Sequence, residues 1–151
     1  MKYRLSLEYG SWNRRGIPPV AGTGRIRQKE ALGMSKIVQE ELDIDRVRLG
    51  LRRTPGRGAP VVMLHGLMDS AISWDAFARS LSRPTVAFDL PGFGQSTLAG
   101  DDLDEWQEIF ASALGELGID RYFLLGHSLG GALASSMASA RPEETRSLLL
   151  I

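Results

Sequence analysis

Three short stretches bring together residue types able to do chemistry. Residues 126–130 read Gly-His-Ser-Leu-Gly, a serine between two glycines, directly after the apolar run 122–125. His65 and Gly66 follow a second apolar run, 60–64, and residues 89–96, Asp-Leu-Pro-Gly-Phe-Gly-Gln-Ser, follow a third that begins at Thr85. A serine hydroxyl becomes a nucleophile once a base removes its proton, and Ser128 is placed for such a task. The run before it reads as a buried strand, and Leu129–Ala140, rich in Gly, Ala and Ser, reads as a helix pressed close to the sheet. A serine on so sharp a corner sits in a strained backbone with its Oγ lifted clear of the sheet. Gly126 and Gly130 are needed there because a Cβ at either would collide with neighbouring backbone. The helix N-terminus behind Ser128 offers free N–H groups and partial positive charge where an oxyanion would form.

The rest of the sequence must hold these stretches on one face. Val47, Leu49 and Leu51 alternate with Arg46, Arg48 and Arg52, the pattern of a half-buried strand. Residues 36–42 fit an antiparallel partner closed over Asp43-Ile44-Asp45. A competing reading makes 27–42 one helix, with Met34, Ile37, Val38 and Leu42 at helical spacing. Residues 54–58 form a turn, and Pro60 opens the next strand. After Gly66 a helix is predicted with Trp74, Phe77, Ala78 and Leu81 on one face, capped by Asp69 or Ser70. Asp101, Asp102 and Asp104 mark the start of the next helix, where carboxylates meet the positive end of the dipole; a structural role is preferred to a metal site. Trp106, Ile109, Phe110, Ala113, Leu114 and Leu117 are its buried face, and Gly118 ends it. A last apolar strand starts at Ser147. Strands and helices alternating in this way give an α/β fold, a doubly wound, mainly parallel sheet behind an N-terminal antiparallel hairpin. Ligands of such sheets bind beyond the carboxyl ends of the strands, where all three stretches lie.

Composition narrows the function classes. The 151 residues carry 18 basic and 18 acidic side chains, so no overall field points to nucleic acid or an anionic membrane. Without cysteine there is no disulfide framework and no thiol chemistry. No apolar stretch follows the charged start at Lys2 and Arg4, so a cytoplasmic protein is expected. Residues 1–33 hold seven basic residues against two acidic ones, and 10–24 are dense in Gly and Pro. That segment reads as a basic, loop-rich, poorly ordered extension, with a short strand over 2–8, rather than as a patch for an anionic partner. Residues 34–151 form the folded unit.

Together the motifs G-x-S-x-G, His-Gly and D-x-P-G-x-G-x-S resemble the α/β-hydrolase family over residues 36–151. The resemblance implies that Ser128 is the nucleophile and that the N–H groups of Leu67 and Leu129 are the oxyanion donors. It gives His65, Gly66, Asp89, Gly92, Gly94, Gly126, His127 and Gly130 structural places in the motifs. His127 precedes Ser128, and neighbours on an extended backbone point to opposite sides, so it is expected to line the pocket without reaching Oγ. In the family an acid and then a histidine follow the nucleophile in the chain. Neither follows Ser128 before Ile151, so the expectation is the N-terminal half of a truncated α/β-hydrolase domain, inactive alone. The implied activity is hydrolysis of a small ester-like substrate through an acyl-enzyme, with no metal or cofactor. The expected partnership is self-association or a complementing C-terminal half. The other reading is a non-catalytic fragment or binding module of the same fold.

Overall fold

A computed structural model describes residues 26–29, 37–100 and 102–151. Seven strands form one sheet: β1 (Ile26–Lys29), β2 (Val38–Ile44), β3 (Val47–Thr54), β4 (Val61–Leu64), β5 (Thr85–Phe88), β6 (Tyr122–Gly126) and β7 (Thr145–Leu150). Their order is β1-β2-β3-β5-β4-β6-β7. The first three pair antiparallel and β3 pairs antiparallel with β5, whereas β4, β5, β6 and β7 run parallel. The expected doubly wound sheet behind an antiparallel hairpin is therefore present. The hairpin turns at Asp45 and Arg46, two residues later than its expected start, and Asp45 takes a positive φ of 50° there. The alternative of one helix over 27–42 is excluded, since 26–29 and 38–44 are paired strands. The strand over 2–8 and the loop over 10–24 lie outside the described residues.

Apolar alternation decides which face each strand residue serves. Val62, Leu64, Val86, Phe88, Tyr122 and Leu124 join one buried cluster with Trp106, Phe110, Ala113 and Leu114 of α2 (Leu103–Glu116) and Leu133, Ala134 and Met137 of α3 (Leu129–Ala140). Met63, Ala87 and Leu125 point the other way, to Ala71 and Ala78. Ala78 belongs to the short helix α1 (Asp75–Ser80), which follows a 3-10 turn, Ala71–Trp74. The expected buried face of that helix includes Phe77, yet Phe77 is exposed, and Ala78 is the buried residue of α1. In α2, Asp102 is the N-cap and its side chain accepts from the Asp104 N–H at 2.9 Å. The α2 face follows the helical period closely, with Ile109 at the cluster's margin.

The small residues of α3 have a steric cause. A Cβ on Gly126 would run into the Gly130 carbonyl and come within 2.7 Å of the Gly131 Cα. One on Gly130 would meet the carbonyls of Leu64 and His65 at the end of β4. The helix therefore lies directly on the strand ends, and Gly130 N–H donates to the His65 carbonyl at 3.1 Å. This contact sets the serine corner against β4.

Candidate active site

Ser128 occupies the corner between β6 and α3 with φ 52° and ψ −116°. A non-glycine residue at positive φ is strained and persists only where its surroundings over-determine it. Here they do so through three backbone hydrogen bonds. His127 N–H donates to Leu64 O at 3.1 Å, Ser128 N–H to Ile151 O at 3.0 Å, and Ala132 N–H to Ser128 O at 3.0 Å. Ser128 itself is exposed, at the N-terminus of a twelve-residue helix. Its backbone is thus tied to the strand on each side while its side chain stands free.

Gly66, at the end of β4, faces this corner. The position that its Cβ would take lies 3.4 Å from Ser128 Cβ and 2.7 Å from His127 Nδ1. The His127 ring thus rests on Gly66, and the Ser128 Cβ lies near the same point. Leu67 and Met68 continue from Gly66 as exposed residues, Met68 also at positive φ, 58°. Leu129, partly buried, opens α3 directly after Ser128. The two residues expected to donate to an oxyanion thus follow directly on two residues in mutual contact range, Gly66 and Ser128.

His65 is fully buried, and both its ring nitrogens are engaged. Leu90 N–H donates to Nε2 at 2.9 Å, and Nδ1 lies 2.7 Å from Gly66 O. A backbone N–H can only donate, so Nε2 is the acceptor and Nδ1 carries the proton that Gly66 O receives. His65 is a strut between the loop after β5 and the loop after β4. Its ring also meets Phe93 edge-on, with centroids 5.8 Å apart.

Asp89 is a second strut. Its buried carboxylate accepts from Ala71 N–H at 2.7 Å through Oδ1 and from Gln95 N–H at 2.8 Å through Oδ2. Its N–H donates to Gly50 O at 2.8 Å, and its carbonyl accepts from Ser96 Oγ at 2.7 Å. Ser96 Oγ in turn accepts from Gly50 N–H at 3.0 Å. One residue thereby fastens the glycine loop, the loop after β4 and β3. Gly92 and Gly94 carry the loop round Asp89 at positive φ, 83° and 54°.

Asp69 is the polar group of this mouth whose surroundings the sequence did not disclose. The Ser73 hydroxyl donates to its carboxylate and holds that carboxyl below its ordinary value. Burial works against the lowering, while the Ser70 N–H adds to it. Of the two capping candidates it is Asp69 that accepts hydrogen bonds at the helix start, and Ser70 makes no side-chain cap. Among the described residues no cluster of His, Asp or Glu is set to hold a metal ion, and no helix is long and apolar enough to cross a membrane.

Known proteins resemble this chain in sequence and in fold. An esterase of Mycobacterium tuberculosis is 34% identical over 115 residues, which cover 72% of this chain and 39% of the relative. The pimeloyl-[acyl-carrier protein] methyl ester esterase of Nitrosomonas europaea is 39% identical over 101 residues, 65% of this chain and 38% of the relative. The dihydrolipoyllysine-residue acetyltransferase component of the acetoin cleaving system of Pseudomonas putida is 38% identical over 98 residues, 62% of this chain and 26% of that protein. The chain thus spans well under half the length of these relatives. Among solved structures, Cfl2 of Burkholderia cenocepacia superposes with a TM-score of 0.77 at 29% identity, over 82% of this chain and 44% of its own. The epoxide hydrolase VrEH1 of Vigna radiata, at 21% identity, shares the fold with a TM-score of 0.71, over 80% of this chain and 39% of its own. The sequence model of the alpha/beta hydrolase family matches residues 61–150, from β4 to the end of β7, and the chain belongs to that family.

Proposed function

We propose that Ser128 is the nucleophile of a serine hydrolase acting on carboxylic esters. The observation that carries the reading is the backbone of Ser128, held at φ 52° and ψ −116° on a strand-to-helix corner with its side chain exposed. Oγ attacks the ester carbonyl carbon as a base takes its proton, and the carbonyl oxygen becomes an oxyanion facing the N–H groups of Leu67 and Leu129. Collapse expels the alcohol, which regains the proton, and leaves an acyl group on Ser128; water then releases the acid. Loss of one oxyanion donor costs about 3 kcal/mol of transition-state stabilisation in enzymes of this kind. Esterases among the relatives favour ester chemistry.

We infer that neither of the two histidines in the sequence is the base. His65 is buried with both nitrogens committed, and His127 rests on Gly66. This favours a second reading for the 151 residues alone, a module that binds at the corner without turnover. The two readings separate in one assay of residues 1–151 on p-nitrophenyl acetate, with Ser128→Ala as baseline and exogenous imidazole as surrogate base. The chain alone should match the baseline, and imidazole should raise its rate above the baseline at equal imidazole. No Ser128-dependent gain would remove the nucleophile assignment and leave the binding module. An esterase-like rate without imidazole would show that the chain holds its own base.

A further inference from the structure

We propose that His127 is a positioning residue for the Leu67 N–H, a role that rests on reading Leu67 as an oxyanion donor. In a trans peptide the C=O and the following N–H point in opposite directions. The direction of Leu67 N–H is therefore set by wherever Gly66 O is held, and His65 Nδ1–H holds it at 2.7 Å. One hydrogen bond at the oxygen does not stop the peptide from rocking about the Gly66 Cα. Glycine has the widest backbone freedom of any residue and no side chain to restrict it. At Gly66 another residue fills that space. His127 Nδ1 and Cε1 lie 2.7 and 3.1 Å from where a Cβ would sit, and Ser128 Cβ lies 3.4 Å from the same point.

The His127 backbone is itself anchored, its N–H on Leu64 O at 3.1 Å, so the ring rests on the same strand end that it steadies. The donor peptide is thus gripped at two places, its oxygen by one imidazole and its Cα by the other. The arrangement also links the two sides of the site. The ring that confines Gly66 belongs to the residue directly before Ser128, so nucleophile and donor are set by one contact.

The test is the Leu67 amide in ¹⁵N-labelled residues 1–151, followed by relaxation and hydrogen exchange. In the parent chain its order parameter should be that of rigid backbone, about 0.85, and in His127→Ala it should fall towards about 0.6 with faster exchange. The amides of Leu90 and Gln95, on the neighbouring loop, should not change. His127→Phe, which keeps a ring in place, should restore the Leu67 values. A Leu67 amide as rigid in His127→Ala as in the parent overturns the proposal, and so does a Phe variant that behaves like Ala. If His127→Ala does not fold, the parent decides the matter: an Overhauser contact between His127 Hε1 and the Gly66 Hα protons is required, and its absence overturns the role. None of these readouts depends on turnover, so an inert Ser128 would remove the proposed activity without touching this result.

Discussion

Asp89 shows how much can hang on one side chain. Its two carboxylate oxygens each receive a backbone N–H from a different loop, at 2.7 and 2.8 Å. Asp89→Asn keeps the shape but must turn an NH₂ towards one of those N–H groups, leaving a buried donor unpaired. Such an orphan costs about 1–3 kcal/mol. Urea unfolding of the Asn variant should show a lower midpoint with an unchanged slope. His65→Ala should be at least as damaging, because Leu90 N–H and Gly66 O lose their partner and a cavity opens. The identities of these residues were legible in the motifs, but their partners were not. Leu90 reaches His65 from the loop after β5 and Ala71 reaches Asp89 from the 3-10 turn after β4, and no local spacing announces that.

Among the elements, the long amphipathic helix and the buried strands were the most readable. Trp106, Phe110, Ala113 and Leu114 repeat with the helical period and all are buried, and Asp102 caps as its type suggests. Asp102→Ala should cost about 1 kcal/mol, seen as a lowered melting temperature. Strand β1 was not readable. Its four residues, Ile-Arg-Gln-Lys, carry too little pattern to stand out, and pairing with β2 makes them a strand. A half-buried ion pair that joins two elements was likewise silent: Arg52 on β3 grips both oxygens of Asp75 on α1, each at 2.7 Å. Acid–base behaviour also belongs at this scale. Burial raises the carboxyls of Glu116, in the last turn of α2, and Glu144, before β7, above their ordinary value of 4.5. A raised carboxyl binds its proton more tightly in the folded chain. Its contribution is therefore complete below pH 4.5 and lost as pH rises through the higher folded value. Glu144→Gln should lower the stability at pH 4 relative to that at pH 7, measured by urea titration at both. An unchanged difference would mean that Glu144 is solvated.

For the whole molecule, the large exposed apolar side chains fall in two places among the described residues. Leu67, Met68, Ile72, Phe77 and Leu98 lie around the ends of β4 and β5, and Leu148 to Leu150 line the β7 edge with Ile151. An edge strand with unguarded apolar side chains is a template for association. Leu149, 57% exposed, is the place to interrupt it. Sedimentation velocity should show concentration-dependent association of residues 1–151, and Leu149→Lys should weaken it. The sheet order carries one more consequence, in time. The β2–β3 hairpin joins neighbours through Asp45 and Arg46, so it closes a short loop of the kind that forms within microseconds. Strand β4 must instead find β6, pairing Val61 with Phe123, after α1, β5 and α2 have been threaded between them. Such distant pairings slow folding by orders of magnitude relative to local ones. In pulse-labelled hydrogen exchange the amides of Leu42 and Leu49 should therefore gain protection before those of Met63 and Leu125. The corner that holds Ser128 at its strained angle, built from β4, β6 and β7 together, would then be among the last parts of the chain to exist.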